Sequence, residues 1–397
     1  MATAQKHIEQ AKAFLAANRF SEAENELRQA IKLDRKEVPA RIELARLLGM
    51  SGQLDECEQI VDEALKISPR DSDGLTLKGM NLIMREQYKS AIEVLQQALA
   101  ENPKQLMAQV HLGLALRETD HIEEAEAVLR KAVTTNPRSA QALFELAHTL
   151  AVKQRDEEAL RMLMQLVKTH PNFTRGYIAI AGLYRNSNRV EDAIKICHQG
   201  LSTNPQAFDI AGLLKDLYWQ NGDIKSSLHV MGMICEHRGL TDDYIELGEM
   251  AAAADRADVA EKSYKRAIEK SPEDWVAHSA LGEFYDSVNE LDKAQEAFEL
   301  SIQYNTANSY RPYNGLGMLY TKQDNIEGAI EQFRKACFFA PGEAGPRFNL
   351  GLALAKLDLL EDAQEELKIA LDHTGPGEFR NQISQVLEAV ERELNKG

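Results

Sequence analysis

The sequence predicts an all-α solenoid of about eleven stacked helix-turn-helix repeats. A small residue recurs with a 34-residue step on the first segment of each repeat, a second small residue recurs with the same step on the second segment, and prolines close most repeats. A fixed period of this length indicates supersecondary units that bury their apolar faces against their neighbours. Such an array can reach 397 residues without splitting into separate compact cores.

The first segment of each repeat is predicted to be a helix that meets a neighbouring helix at a small residue. The series runs Ala11, Ala45, Gly79, Gly113, Ala147, Ala181 and Lys215, and resumes at Gly248, Gly282, Gly317 and Gly351. Six consecutive steps of 34 residues link its first seven members. This regularity is what fixes the number of repeats.

The second segment is predicted to be a helix with a small residue followed one turn later by a bulkier one. The small residues are Ala23, Cys57, Ala91, Ala125, Ala159, Ala193, Ser227, Ala260, Ala294, Ala329 and Ala363. The bulkier residues are Leu27, Val61, Leu95, Leu129, Leu163, Cys197, Met231, Tyr264, Phe298, Phe333 and Leu367. Residues four apart share one helix face, so small and large side chains can interlock. Proline cannot continue a helix, and it follows many repeats, at Pro69, Pro103, Pro137, Pro171, Pro205, Pro272 and Pro341.

These residues resemble the tetratricopeptide repeat family, whose pattern is an aromatic residue, Leu-Gly, Tyr, Ala, a large apolar residue and Pro. Repeat ten shows nearly all of it, at Tyr313, Leu316-Gly317, Tyr320, Ala329, Phe333 and Pro341. The resemblance covers residues 4–377. It implies a right-handed superhelix whose concave inner wall, made by the first helices, is the family's usual peptide-binding groove.

Two repeats depart from the pattern. Repeat seven places Lys215 and Ser227 at small-residue positions and ends in Gly239, and repeat nine has Thr306 in place of proline. Repeat seven is therefore either a hinge around Arg238 and Gly239 or a drifted repeat that packs normally.

Charge also changes along the chain. The net charge is −1 over residues 1–200 and −15 over residues 201–397. We predict repeats one to seven in residues 4–240, acidic repeats eight to eleven in residues 241–377 and a capping helix in residues 378–397. The asymmetry favours surfaces with different partners and argues against nucleic acid on the acidic half, although acidity also keeps a long solenoid soluble.

The last segment has an amphipathic helical pattern. Its apolar residues are Phe379, Ile383, Val386, Leu387, Val390 and Leu394. We expect a helix that caps the last repeat; the alternative is a free amphipathic helix for a partner or a membrane.

Composition favours a cytoplasmic protein without catalytic activity. No stretch is long or apolar enough to span a membrane, and the start lacks the apolar core of a secretory signal. The cysteines, Cys57, Cys197, Cys235 and Cys337, fall on inward positions of second helices, as a reducing cytosol permits. Phosphate loops, metal-spaced histidine pairs, paired cysteines and nucleophile elbows are absent from the sequence. We expect no enzyme activity, no cofactor and no metal.

The wall formed by the first helices is predicted to carry the binding site. In repeats three to five its apolar positions are Met80, Ile83, Met84, Met107, Val110, Leu114, Phe144 and Val152. Repeats six and seven add Arg175, Arg185, Asn186 and Trp219, and later repeats add Asp242, Glu249, Glu283 and Asp286. Methionine-rich surfaces suit apolar ligands of variable shape. If the helical phase is wrong by one residue, the apolar members are core residues instead.

The predicted function is a non-enzymatic interaction module or assembly scaffold that binds a peptide or helical segment of a protein partner. The main alternative is a scaffold that assembles with further copies of itself. A remote alternative is an enzyme with an unrecognised site, for which Glu249, Glu283 and Asp286 are the only candidates, and we interpret these carboxylates as a solvated face.

Overall fold

The computed structural model describes residues 3–395, which form 23 helices. The chain divides into two compact units, Met1–Ile210 (the N-unit) and Ala211–Gly397 (the C-unit). The N-unit contains α1 (Ala4–Ala16), α2 (Phe20–Leu33), α3 (Val38–Met50), α4 (Leu54–Ile67), α5 (Ser72–Met84), α6 (Tyr88–Glu101), α7 (Leu106–Glu118), α8 (Ile122–Thr135), α9 (Ala140–Val152), α10 (Asp156–Thr169), α11 (Thr174–Asn186) and α12 (Val190–Thr203). The helix α13 (Phe208–Gln220) begins at the end of the N-unit and continues into the C-unit.

The C-unit continues the same alternation of helices. It contains α14 (Ile224–Arg238), α15 (Thr241–Ala253), α16 (Ala257–Lys270), α17 (Trp275–Ser287), α18 (Leu291–Gln303), α19 (Arg311–Lys322), α20 (Ile326–Phe339), α21 (Ala344–Lys356), α22 (Leu360–Asp372) and α23 (Glu378–Leu394). Helices α1 to α22 provide two helices for each of the eleven predicted repeats. Within each unit a first helix packs against the second helix of its own repeat, as α1 does against α2 and α15 against α16.

The two small-residue series interlock as the sequence predicted. A Cβ atom added to Gly113 of α7 would lie 2.4 Å from Cγ of Leu129 in α8. The same step of sixteen residues joins Gly317 of α19 to Phe333 of α20, where the added Cβ would lie 2.6 Å from Cε1 of the ring. Glycine is therefore required wherever the bulky partner approaches this closely. The contact recurs from repeat to repeat and holds the two helices of each repeat together.

A left-handed residue in every helix-helix turn marks the repeats independently of side-chain packing. The residues with positive φ in these turns are Asn18, Gly52, Glu86, Asp120, Gln154, Asn188, Gly222, Asp255, Asn289, Asp324 and Asp358. Most are Gly, Asn or Asp, the residue types that adopt this conformation at least cost. One such turn occurs in each of the eleven repeats.

The irregular repeats are closed by polar contacts. In repeat seven, the Lys215 ammonium group donates a hydrogen bond to the Glu246 carboxylate. The Ser227 hydroxyl donates a hydrogen bond of 2.8 Å to the carbonyl oxygen of Lys215. After repeat nine, the Asn305 side chain donates to the Ser309 carbonyl at 2.6 Å and accepts from its backbone N–H at 2.9 Å. These bonds close the turn where other repeats use proline.

The boundary that we predicted after residue 240 lies inside the C-unit and stays a prediction. Gly239 ends α14 in a left-handed conformation with φ of 69°, as is common at helix C-termini. The hinge at this residue also stays a prediction.

A cluster of charges joins repeats four and five. The Glu126 carboxylate of α8 accepts hydrogen bonds from Lys153 and Arg155 at 2.7 Å and from Arg130 at 2.8 Å. Burial alone would raise the pKa of Glu126, but the hydrogen bonds from the three cations outweigh it and lower the pKa to about 2.

The predicted capping helix is confirmed. Helix α23 packs against α22 and buries Ile383, Leu387 and Val390 in the same apolar cluster as Leu367. The four cysteines are buried on second helices, also as predicted. Burial raises the pKa of Cys197 and Cys235 to about 12 and that of Cys337 to about 11.

Candidate binding site on the first helices

An open pocket lies between the first helices of repeats five and six. It has a volume of about 390 Å³. Its wall is formed by Phe144, Ala147, His148, Ala151 and Val152 of α9 and by Ala179, Gly182, Leu183 and Asn186 of α11, with Leu163 of α10 beneath them. We call this cavity the α9/α11 pocket.

Small residues at two repeat positions leave this pocket open. One repeat earlier, the corresponding positions hold Arg117 on α7 and Glu145 on α9, which form a buried ion pair at 2.8 Å. In the α9/α11 pocket these positions are Ala151 and Ala179, whose side chains cannot reach across. A Cβ atom added to Gly182 would have no neighbour within 4 Å. The gap that a salt bridge fills in one repeat is thus an apolar cavity in the next.

An aromatic residue with a basic neighbour forms one side of the pocket. The Arg175 guanidinium lies 4.4 Å from the centroid of the Phe144 ring, and the Phe173 ring lies 5.5 Å from the same ring. A cation over an aromatic face is attracted by the ring quadrupole, so the contact keeps Arg175 next to the pocket. Arg185, on α11 directly before the pocket residue Asn186, adds a second exposed positive charge.

The imidazole in the pocket wall is neutral at physiological pH. Burial, assisted by the positive charge of Arg117, lowers the pKa of His148 although part of its ring remains exposed. An uncharged ring keeps the cavity wall apolar and leaves the positive charge at the edge.

Several predicted apolar positions are exposed on the first helices of the N-unit. Met84 is 48% exposed, Met107 44% and Val152 50%. Large apolar side chains with this exposure on neighbouring repeats are a feature of interaction surfaces. The predicted positions Met80, Ile83 and Leu114 are half-buried.

One predicted position was wrong. Val110 of α7 is 0% exposed because it packs between Ala132 of α8 and Ala142 of α9. The Val110 side chain points into the core, so it cannot contact a partner. Phe144 is buried as well, but its ring lines the α9/α11 pocket.

The structure brings only part of the predicted site together. Phe144, Val152 and Asn186 line the α9/α11 pocket, and Arg175 contacts Phe144. Trp219 is half-buried on α13 in the C-unit. Sequence reasoning missed Ala151, Ala179 and Gly182, which create the cavity by being small. A comparison of these positions with Arg117 and Glu145 one period earlier would have revealed them.

The C-unit has a polar pocket at the equivalent place between α17 and α19. Its volume is about 340 Å³, and Glu283, Asp286, Asn314 and Met318 are among its lining residues. The Lys322 ammonium donates to both carboxylate oxygens of Asp286 at 2.7 Å. The same repeat positions therefore carry apolar chemistry in one unit and acidic chemistry in the other.

No cluster of three or more His, Cys, Asp or Glu side chains suited to a metal ion occurs in residues 3–395. Within that same range, no helix is both long and apolar enough to cross a membrane.

Comparisons with known proteins agree with the repeat geometry. Models described as tetratricopeptide repeat match residues 14–80, 82–132 and 116–183, and a further one matches residues 310–341. Tetratricopeptide repeat-containing protein trd-1 of Caenorhabditis elegans is 28% identical over 156 residues, which are 39% of this chain and 18% of that protein. Cell division cycle protein 27 homolog B of Arabidopsis thaliana is 25% identical over 162 residues, 40% of this chain and 22% of that protein. The chain thus spans about a fifth of the length of these relatives.

Solved structures with similar folds include yeast Tom70, with a TM-score of 0.46, 14% identity, and coverage of 99% of this chain and 96% of that one. A thermophilic repeat protein of Thermus thermophilus, TTC0263, has a TM-score of 0.42 and 21% identity, covering 46% of this chain and 100% of that one. Because both TM-scores are low, the assignment rests on the repeat models and on the interlocked helix pairs. The chain belongs to the tetratricopeptide repeat family, a family of protein interaction scaffolds.

Proposed function

We propose that the chain is a non-enzymatic interaction module that holds a segment of a protein partner against the first helices of its N-unit. An apolar side chain of that segment enters the α9/α11 pocket. The observation that carries the proposal is the open apolar cavity left by Ala151 and Ala179 where the preceding repeat has a salt bridge. Concave apolar pockets with a few polar groups at the edge are the usual form of binding sites.

The residues around the α9/α11 pocket indicate which side chains the partner segment should carry. A fully buried apolar side chain contributes about 1.5–3 kcal/mol, which the cost of ordering the segment reduces. Met84 and Met107 offer further apolar contact on earlier repeats. Arg175 and Arg185 favour an acidic residue beside the apolar one. The expected ligand is therefore a segment with several apolar anchors and a neighbouring carboxylate.

A change at Gly182 tests the pocket without disturbing the packing beneath it. Because an added Cβ has free space, Gly182→Leu should fill the cavity, whereas Gly182→Ala should leave it mostly open and serves as the matched control. A random twelve-residue peptide library would be selected on the wild-type protein and counter-selected on Gly182→Leu.

We expect selected peptides to bind wild type and Gly182→Ala equally and Gly182→Leu at least about tenfold more weakly, which corresponds to the loss of one buried anchor. They should share a large apolar residue next to Asp or Glu, and Arg175→Glu should remove the acidic preference. If every selected peptide binds all three proteins alike, the pocket is not the binding site.

A second candidate function, assembly with further copies of the chain, is favoured by one surface of the C-unit. Phe338 at the end of α20 is 79% exposed and contacts Phe339, which stacks on Tyr313 at a centroid distance of 5.2 Å. Sedimentation velocity of wild type and Phe338→Glu over a range of concentrations tests it. A wild-type oligomer that the substitution dissociates would support self-assembly, and a monomer at all concentrations would exclude it.

The remaining expectations stay predictions. The four buried thiols support a reducing compartment such as the cytoplasm. A role of Trp219 in partner binding rests only on its place on a first helix.

A further inference from the structure

An open cavity with a basic lining lies beside repeats one and two of the N-unit, where α2 ends, α3 begins and α4 ends. It has a volume of about 500 Å³. Its lining includes four cations, Lys32, Arg35, Arg41 and Lys66, and one carboxylate, Glu63. We call this cavity the basic pocket. Its lining carries an excess of positive charge, although the net charge of the chain is −16.

Arg41 is buried at a repeat position that often holds an uncharged core residue. It is only 6% exposed on α3. The residues one, three and four periods later are Leu75, Leu143 and Tyr177, and all three are buried in the core. Burying a charge is costly unless a partner compensates it. Repeat packing therefore gives no reason for an arginine at this position.

The carboxylate that pairs with a cation at this repeat position is missing from repeat two. In repeats one and eleven the same position holds His7 and Arg347, and each contacts a carboxylate nineteen residues later. His7 lies 2.5 Å from Glu26, and Arg347 lies 2.7 Å from Glu366. In repeat two the residue nineteen positions later is Ile60, which is buried and apolar.

The contacts of Arg41 leave part of its guanidinium unused. Its Nε lies 3.4 Å from Oε2 of Glu63, and its Nη1 donates a hydrogen bond of 3.0 Å to the carbonyl oxygen of Glu37. Its Nη2 has no hydrogen-bond partner among residues 3–395. A guanidinium offers five N–H donors in a planar fork. Arg41 therefore keeps donors for a ligand in the basic pocket.

The other three cations of the basic pocket have no counter-ion. Lys32, Arg35 and Lys66 form no ion pair within 4 Å in the part of the chain that the structure describes. Both lysines lie in the last turn of a helix, where a positive charge is favourable by itself. Arg35 has no such explanation, because it stands one period before Pro69, where later repeats usually have proline. The two arginines of the basic pocket are thus what the repeat pattern leaves unexplained.

We propose that the basic pocket binds a phosphoryl group. The planar fork of an arginine matches the oxygens of a phosphate, and lysines add compact positive charges. A phosphoryl group carries nearly two negative charges at neutral pH, so it offsets more of the excess charge than a carboxylate does. Ile31 and Ile67 also line the cavity and can contact the carbon chain that carries the group.

The phosphoryl group belongs either to a phosphorylated side chain of a protein partner or to a free polyphosphate. Two probes separate these sources, N-acetyl-O-phosphoserine N-methylamide and inorganic pyrophosphate. Isothermal titration calorimetry with the whole protein measures the affinity of each. The corresponding unphosphorylated serine and glutamate amides are the chemical controls, and all titrations are made at equal ionic strength in sodium chloride.

We expect wild type to bind a phosphoryl probe saturably and at least about tenfold more tightly than the glutamate amide. Arg41→Leu should weaken this binding at least about tenfold. This variant should fold, because leucine occupies the same position in repeats three and five. The matched control is Arg347→Leu, which removes an arginine from the same repeat position far along the chain and should leave the binding unchanged.

A second pair of variants tests the lysines. Lys32→Gln with Lys66→Gln should weaken binding of both probes, whereas Lys12→Gln with Lys89→Gln should not. The control pair changes the net charge equally at exposed positions of the same unit. Tighter binding of the phosphoserine amide would assign the site to a phosphorylated partner, and tighter binding of pyrophosphate would assign it to a free polyphosphate.

Three results would overturn the proposal. One is the absence of measurable binding of either phosphoryl probe to wild type. Another is unchanged affinity in Arg41→Leu, whose fold would be checked by circular dichroism. The third is equal affinity for the glutamate amide, which would assign the pocket to carboxylates. The basic pocket shares no lining residue with the α9/α11 pocket, so Gly182→Leu should leave phosphoryl binding unchanged and either proposal can fail alone.

Discussion

Glycine opposite an aromatic residue is one of the close contacts of the repeat packing, and a pair of alanine substitutions can measure its steric requirement. Gly317→Ala would bring a Cβ to 2.6 Å from Cε1 of Phe333, whereas Gly232→Ala, in α14 of the same unit, would have no neighbour within 4 Å. Both changes gain about 1 kcal/mol of helix propensity. Only the first carries the cost of overpacking, about 1–3 kcal/mol. The difference in unfolding free energy between the two variants isolates the steric cost.

The sequence itself indicates that this cost lies in the upper part of the range. All three aromatic partners, Tyr264, Phe298 and Phe333, face glycine. Leucine partners face glycine in some repeats, as at Gly113 with Leu129, and alanine in repeat five, as at Ala147 with Leu163. A rigid ring cannot withdraw as a leucine side chain can. We therefore expect Gly317→Ala to be about 2–3 kcal/mol less stable than Gly232→Ala.

Urea unfolding followed by circular dichroism would measure the effect, comparing the same transition in each variant because a repeat array need not unfold in two states. Phe333→Leu should rescue Gly317→Ala, with a coupling energy of about 1–2 kcal/mol in the double-mutant cycle. Equal stabilities of Gly317→Ala and Gly232→Ala, or strict additivity in the cycle, would show that the helices adjust freely and that the reasoning is wrong.

Three further predictions concern charge and burial. The folded-state pKa of Glu126 is about 2 against 4.5 for the free side chain, so its stabilising contribution is present above about pH 4.5 and is lost as the pH falls toward 2. Glu126→Gln should therefore cost about 1–2 kcal/mol of unfolding free energy at pH 7, after screening of its partly exposed partners, and less at pH 3. Urea unfolding at the two pH values measures the difference. Breaking the buried Arg117–Glu145 ion pair by Arg117→Met alone should cost about 3–5 kcal/mol of unfolding free energy, whereas Arg117→Met with Glu145→Leu should be nearly neutral. Thermal and urea unfolding measure both variants, and equal losses of stability in the two proteins would contradict this reasoning. Because burial raises the pKa of Cys197 and Cys235 to about 12, a disulfide reagent at pH 8 should modify these thiols only as urea unfolds the chain, and rapid labelling of the folded protein would contradict their burial.

The fold could be predicted from the sequence because its defining contacts lie within one repeat. The step from Gly113 to Leu129 and that from Gly317 to Phe333 are both sixteen residues, so a single period describes each close contact. The capping helix was predictable for a similar reason, since Ile383 and Leu387 share one apolar stripe.

The site was harder to predict because it depends on pairs of residues from different repeats. Helical phase alone placed Val110 on the surface, yet the neighbouring repeat covers it. Helical phase gives the direction in which a side chain points, but it does not identify the residue that faces it on another helix. Whether a cavity forms at Ala151 depends on Ala179, which lies on another first helix.

We therefore expect binding chemistry in this chain to be set by positions that packing leaves free to vary. The residues directly after the small residue of the first helix show this, since they are His148 in repeat five, Glu249 in repeat eight and Glu283 in repeat nine. Substituting these residues should change which ligand the chain prefers and leave the helix pairs intact, because the interlocked contact lies one residue earlier, as at Gly248 with Tyr264. Where the large partner is itself polar, as Tyr264 is, the packing contact also carries a hydroxyl group. Tyr264→Phe removes that hydroxyl alone and should leave the helix pair intact, because the ring that fills the space beneath Gly248 remains.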